Sequence, residues 1–426
     1  MLLTALFLCA FQDPASRPDS IPSLGYVQLP NGFAHKVLAL PSAKEVAVVL
    51  AVGCGYEHDP ERATGLARAL ATMLRLQETG DDRLQVRTVG RATLLGGVFA
   101  PERLPEKLAR FATLLTGRLP AAEEAAVVAI ARARLEADDD TEIVPGPVLE
   151  MRARRVLLAG TPGGRQVLGV PAQMNFTPEQ LAARFAAAWR PDNAHLVVLG
   201  AVDEGRVREA IAKHFGPLER GGAPPARCVH DPLPPPPEEA PLARLDAPFV
   251  SAGLVGPRCG EPDWLPFLIA AEVLRVRALQ AFREPRGGEL QARFAPLAFD
   301  YWDGGTLVLV NRRGRNGDAA AEPRSEIRAL LARFHGEGPR PEELAQATLS
   351  VARALWLPPY GDAEPLLAKE PRLLLGRAVT LAMARVEGWP ADTNHLTGRI
   401  RAPEVLEVIA RRFQPAAWRW FVLLPQ

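Results

Sequence analysis

The sequence has only seven histidines that could bind a catalytic metal, and none of them has the spacing that a metal site on a helix needs. The seven histidines stand at positions 35, 58, 195, 214, 230, 335 and 395. Two imidazoles hold one ion on a helical face when they are four residues apart, as in His-x-x-Glu-His or His-Glu-x-x-His. Neither motif occurs. We therefore interpret the histidines as surface or structural residues.

The other residue types that form catalytic motifs give no alternative site. Beyond Cys9, the cysteines Cys54, Cys228 and Cys259 are too scattered for a zinc cluster or a disulfide framework. Free buried thiols are the favoured interpretation, with a single Cys228–Cys259 disulfide as the alternative. No Gly-x-Ser-x-Gly elbow of a serine hydrolase is present, and the aspartate run 138–140 lacks the spaced ligands of an EF-hand loop.

Length and charge limit the classes of protein that fit. The 426 residues are too many for one ordinary core and favour two domains. The formal net charge of +1 does not indicate a nucleic-acid partner. An apolar run over residues 1–11, followed by polar residues, predicts a signal-like leader over 1–18 and hence a periplasmic or extracellular protein. Contact with a membrane is expected only if Cys9 is lipidated, and a merely frayed N-terminus is the alternative to export.

Hydrophobic periodicity predicts alternating strands and helices in both halves. In the first half, strands are expected at 32–41, 45–53, 83–89, 92–99 and 194–203, and helices across 65–73 and at 104–115, 120–137, 148–158 and from 177 onward. In the second half, strands are expected at 249–256, 295–301, 306–310 and 418–424, and helices at 264–283, 325–334, 341–355, 363–385 and 403–413. The repeated order suggests an internal duplication. The proline-rich stretch 221–241 favours an extended linker between the halves.

Several short motifs of the first half stand in the order found in one peptidase family. They are Leu29-Pro30-Asn31-Gly32, Gly55-Tyr56-Glu57, Gly65-Leu66-Ala67, Trp189-Arg190-Pro191-Asp192-Asn193 and Gly200-Ala201-Val202. This order resembles the M16 metallopeptidases, the group of pitrilysin, insulinase and the mitochondrial processing peptidase. The resemblance implies an α+β fold of two tandem M16-type domains, each a mainly antiparallel sheet with helices packed on one face. The expected bounds are 19–220 and 242–426.

The same resemblance places a zinc motif, His-x-x-Glu-His, directly after Gly65-Leu66-Ala67. This chain has Arg68, Ala71 and Thr72 at the three motif positions. An arginine does not give up its proton and repels a dication, threonine is a poor zinc ligand, and alanine has no carboxylate to act as a base. The third family ligand corresponds best to Glu136, which we interpret as vestigial. No catalytic residue, zinc or other cofactor is therefore expected.

A second family segment, in the second half, is also altered. Active members have an arginine and a tyrosine there that stabilise the reacting carbonyl. The corresponding residues Arg283, Glu284 and Gly287 are kept, whereas Leu290 replaces the tyrosine. We expect Arg283, Gly287 and Gly288 to lie near a bound peptide without taking part in chemistry.

These features predict a catalytically inactive protein of the M16 type. In the family, chains without the motif commonly pair with a zinc-bearing chain around an extended peptide, so the expected partners are an active M16 subunit and a peptide held by strand addition. The alternatives are a structural scaffold subunit of a larger complex, or a zinc-dependent endopeptidase whose ligands are not recognised.

Overall fold

A computed structural model describes most of the chain. The described residues are 25–60, 63–77, 84–119, 123–142, 145–159, 174–223, 225–226, 228, 238–242, 245, 247–257, 261–282, 297–302, 305–314, 320–355, 371–386 and 401–425. The predicted leader and the segment Arg283–Gly288 lie outside them. Among the helices within these ranges, none combines the length and the apolar composition that crossing a membrane requires.

The first half forms a sheet covered by helices. Its strands are β1 (Val27–Gln28), β2 (Ala34–Ala39), β3 (Val46–Val52), β4 (Gln85–Thr88), β5 (Thr93–Phe99) and β6 (Ala194–Gly200). Its helices are α1 (Leu66–Gln77), α2 (Leu104–Leu114), α3 (Glu123–Glu142), α4 (Pro145–Leu157), α5 (Pro178–Ala188) and α6 (Glu204–Phe215). The strand order is β1-β2-β6-β3-β5-β4, in which only β2 and β6 run parallel.

The second half repeats this arrangement. Its strands are β7 (Glu239–Leu242), β8 (Phe249–Val255), β9 (Leu297–Trp302), β10 (Gly305–Arg313) and β11 (Arg419–Pro425). Its helices are α7 (Trp264–Ala281), α8 (Ala321–Glu337), α9 (Pro341–Leu355), α10 (Pro371–Val386) and α11 (Ala402–Arg412). The strand order is β7-β11-β8-β10-β9, with one parallel pair, β7 and β11. This reproduces β2-β6-β3-β5-β4 of the first sheet strand for strand, as expected of a duplicated unit.

The central strand β3 shows why helices cover both faces of the first sheet. All seven of its residues are buried, and successive side chains of a strand point to opposite faces. Val46, Val48, Leu50 and Val52 pack against the helices of the first half. Ala47, Val49 and Ala51 pack against α10, which belongs to the second half. The mainly small side chains on this second face let a helix approach closely.

The second sheet receives a helix from the first half in return. Leu149 and Ala153 of α4 pack on the strand face that contains Phe249, Leu309 and Phe421. At Gly253, a Cβ atom would meet the Cδ1 atom of Leu157 at 2.6 Å, so glycine lets α4 lie directly on the strand. The helices α7, α8, α9 and α11 cover the opposite face. The two halves therefore exchange equivalent helices, α4 and α10.

Polar contacts fix the last turns of α10 on the first sheet. The Tyr26 hydroxyl donates to the Leu381 carbonyl over 2.9 Å, and Nε2 of His195 donates to the Ala382 carbonyl over 2.7 Å. The two rings meet edge to face, and the Arg385 guanidinium lies 4.8 Å from the centre of the Tyr26 ring. Burial lowers the pKa of His195 to about 3, so its neutral form makes this contact.

The α+β fold class and nearly all the expected elements are confirmed, with three corrections. Helices cover both faces of each sheet, because the halves exchange α4 and α10. Residues 239–241, expected in the linker, begin strand β7, which pairs with β11. The helix α6 was not expected, although Asp203 caps it by accepting from the Arg206 amide over 2.9 Å. The predicted domain bounds stay a prediction.

The buried His195 predicts a pH dependence of stability. The pKa of His195 is about 3 in the folded protein and 6.5 in the unfolded protein. Its contribution to the free energy of unfolding is therefore complete above pH 6.5 and is lost as the pH falls toward 3. Between pH 6.5 and pH 5, protonation of this residue in the unfolded state should lower the free energy of unfolding of the wild-type protein by roughly 1.5 kcal/mol. His195→Gln keeps an N–H donor but cannot titrate, so its free energy of unfolding should fall less over the same range.

Urea unfolding at both pH values tests this difference. Burial also lowers the pKa of His35, but His35 is present in both proteins and its contribution cancels. Equal losses of stability in the wild type and His195→Gln would show that His195 is not held in its neutral form.

Candidate functional site

The helix that contains the motif positions begins at a capped, tightly packed turn. One carboxylate oxygen of Asp59 accepts from the Gly65 amide over 2.9 Å and the other from the Ala67 amide over 3.0 Å. These N–H groups begin α1 and have no partner within the helix. Gly65 has a φ of 89°, and a Cβ atom there would lie 2.8 Å from the Cε atom of Met174. The entry into α1 thus needs both a glycine and a buried carboxylate.

The turn before α1 is held by a buried polar network. The Gly55 amide donates to Nδ1 of His58 over 3.1 Å, and Arg184 of α5 donates to the His58 carbonyl. Arg91 and Glu57 form a buried ion pair with 3.7 Å between nitrogen and oxygen. His58 therefore has a structural role here.

Tyr56 in the same turn connects the two halves. Its side chain packs against the core of the second half. Burial raises the pKa of its hydroxyl, and Arg154 of α4 lies close enough to oppose that increase. Arg154 also forms an ion pair with Glu150 over 2.6 Å. The exchanged helix α4 is thus positioned beside the turn that leads into α1.

The three motif positions lie on α1 as predicted. Arg68 is half-buried, Ala71 is 5% exposed and Thr72 is 1% exposed. The Thr72 hydroxyl accepts from Arg75 over 2.9 Å. The helix α1 contains no acidic residue, whereas it contains two arginines. A dication at this face would meet positive charge and no imidazole or carboxylate of α1, so these residues do not fit a zinc ion.

The predicted third ligand belongs to the neighbouring helix. Glu136 lies within α3, which packs against α1, but its side chain is outside the described residues. Arg283, Gly287 and Gly288 are outside them as well. Within the described part of the chain, no group of three or more histidine, cysteine, aspartate or glutamate side chains could hold a metal ion.

The strand beside α1 ends the first sheet. Among the residues that the structure describes, β4 pairs with β5 on one side only, and the side chains of Gln85 and Arg87 are exposed. The Thr88 hydroxyl donates to the Ala67 carbonyl over 3.3 Å, which connects this strand to the first turn of α1. An edge strand offers unpaired backbone N–H and C=O groups along its outer side. The face that lacks zinc ligands therefore adjoins a strand that can accept another strand.

Sequence reasoning missed the cap that Asp59 provides. The residue stands six positions before Gly65, too far for the usual N-cap pattern, in which the cap directly precedes the first turn. The signal was the succession of Asp59-Pro60 and Gly65 in front of a helical run, both of which mark turns.

Comparison with known proteins agrees with this architecture. Residues 175–295 match the family model described as the peptidase M16 inactive domain. The fold matches a protease from Helicobacter pylori with a TM-score of 0.74 at 17% identity, covering 94% of this chain and 99% of that one. It also matches a peptidase M16 inactive domain from Pseudomonas fluorescens, with a TM-score of 0.69 at 14% identity, covering 94% and 97%. The family match lies within residues 175–295, and the structural matches show that the chain has the same fold as these proteins.

One further match concerns a longer protein. The periplasmic protease PqqL from Escherichia coli matches with a TM-score of 0.68 at 15% identity, over 94% of this chain but 47% of PqqL. A search of curated proteins gives no significant match. These structural likenesses establish the fold of the chain, and its activity is inferred from its own residues.

The double cap on α1 gives a stability prediction. Asp59→Ala would leave two buried amides without their acceptor, which should lower the free energy of unfolding by about 2–4 kcal/mol. Asp59→Asn keeps one side-chain oxygen and should cost less. Thermal or urea unfolding of the two variants beside the wild type measures the difference, and equal losses would show that the single oxygen kept in Asp59→Asn contributes nothing.

Proposed function

We propose that this M16 relative is a non-catalytic subunit that holds an extended peptide. The observation behind the proposal is the replacement of all three zinc-motif positions on a helix whose capping and packing are intact. Thr72 and Ala71 are buried, so they contribute to packing where the motif would supply a metal ligand and a base. Without a metal to polarise the peptide carbonyl and activate water, this face supplies no hydrolytic chemistry.

Strand addition to β4 is the proposed mode of peptide binding. It depends on backbone groups at the edge of the sheet and needs no metal. Strand β4 adjoins α1 through the Thr88–Ala67 hydrogen bond, so a peptide paired with β4 would run beside the altered motif. The exposed side chains of β4, Gln85 and Arg87, would contribute to sequence preference.

The proposed partner is a second M16 chain that has an intact His-x-x-Glu-His motif. The pair would enclose the peptide, with this chain as the holding or regulatory subunit.

We also propose that the protein is exported, since its apolar N-terminal run is signal-like and one structural relative is periplasmic. Co-purification with a motif-bearing M16 chain from the same periplasmic extract tests both parts together.

Metal analysis tests the absence of catalysis. The purified protein should contain no stoichiometric zinc, and any cleavage of an unstructured peptide should be insensitive to a chelator. The variant Arg68→His/Ala71→Glu/Thr72→His should gain zinc, because it restores the missing donors beside α3. Stoichiometric zinc in the wild type that disappears in Glu136→Ala would overturn the non-catalytic assignment.

Strand addition is tested by comparing the two edges of the first sheet. Val86→Pro in β4 removes a backbone donor and should abolish binding of an unstructured synthetic peptide, measured by fluorescence anisotropy. Gln28→Pro in β1, on the opposite edge, removes an amide that faces away from the sheet and should leave binding unchanged, because proline is tolerated on an edge strand where the N–H faces solvent. Hydrogen exchange of amides 85–88 should slow when the peptide is present. Binding that survives Val86→Pro with no such protection would exclude β4 as the site.

A further inference from the structure

Two cysteines distant in sequence lie beside the same turn in front of α1. Cys54 directly follows the buried strand β3 and is 1% exposed, and its carbonyl accepts from the Thr93 hydroxyl over 2.8 Å. Cys228 belongs to the segment between the two halves and is half-buried. Both cysteines are free thiols in this structure, and they belong to different parts of the fold.

Cys228 is fixed to the turn by its backbone and its side chain. Its amide donates to the Glu57 carbonyl over 2.9 Å, and its Sγ donates to the His58 carbonyl over 3.4 Å. The His58 amide in turn donates to the Gly55 carbonyl over 3.1 Å, which folds the turn back toward Cys54. Cys228 is therefore held beside a turn that begins at Cys54.

The guanidinium of Arg184 lies near both thiols. It donates to the His58 carbonyl, the same oxygen that Cys228 contacts. It is also close enough to Cys54 to affect that thiol electrostatically. Burial raises the pKa of the Cys54 thiol to about 12, and Arg184 acts against that increase. A nearby cation of this kind stabilises a thiolate, the form of cysteine that reacts with disulfides.

We propose that Cys54 and Cys228 form a disulfide under oxidising conditions. The thiolate of the more accessible Cys228 attacks a disulfide such as oxidised glutathione, and one glutathione thiolate leaves. Cys54 then loses its proton to water, and its sulfur displaces the second glutathione from Cys228. Two protein thiols are oxidised and one glutathione disulfide is reduced to two thiols. The bond anchors the segment between the halves to the turn that leads into α1.

Peptide mapping of the full chain tests the proposal. The protein is incubated with oxidised glutathione or with a reductant, alkylated and digested without reduction. We expect a linked peptide pair containing Cys54 and Cys228 only in the oxidised sample, with a Tm higher by on the order of 5 °C than that of the reduced sample.

Two variants separate this pair from the alternatives. Cys259→Ser should keep both the linked peptides and the rise in Tm, whereas Cys228→Ser should lose both while its reduced form keeps the wild-type Tm. A Cys228–Cys259 pair, a glutathione adduct on Cys228 without Cys54, or an unmodified Cys54 would overturn the proposal.

Discussion

The exchange of α4 and α10 between the two sheets is the constraint on which the rest of the molecule depends. Each sheet has a second apolar face that its own half leaves without a helix. The burial of Ala47, Val49 and Ala51 by α10 removes from water a surface that would otherwise favour association. The reciprocal burial of Phe249, Leu309 and Phe421 by α4 does the same for the second sheet. Each half therefore completes its core only in the presence of the other.

The exchange also determines how firmly the motif helix is held. Helix α1 packs on one face of the first sheet, while α10 occupies the opposite face of the same strands. Tyr56, between β3 and α1, packs against the core of the second half, and Arg154 of α4 lies near its hydroxyl. Because α1 is supported by packing and by the Asp59 cap, its position does not require metal-binding or catalytic side chains at 68, 71 and 72. The fold around this helix therefore does not depend on the side chains that metal chemistry would require.

Local structure could be predicted from the sequence because its causes are local. The apolar run of β3 and the capping box at Thr177, whose hydroxyl accepts from the Gln180 amide, each depend on residues that lie within a few positions of one another. The packing partner of a helix could not be predicted in this way. The pattern of α10 shows an apolar side but does not say which of two similar sheets receives it. The role of His195 was hidden for the same reason, since its acceptor, the Ala382 carbonyl, lies 187 positions away.

The candidate site also combines features that depend on local sequence with features that depend on tertiary contacts. The altered motif could be identified because it depends on residue types at fixed spacing within one helix. The adjacency of β4 to that helix could not, since it follows from the sheet order and from a contact between Thr88 and a backbone carbonyl. Metal chemistry requires particular side chains and is lost when they are substituted. Backbone pairing at the edge of a sheet requires only an extended, accessible strand, so the capacity to hold a peptide does not depend on the residues that would cleave it.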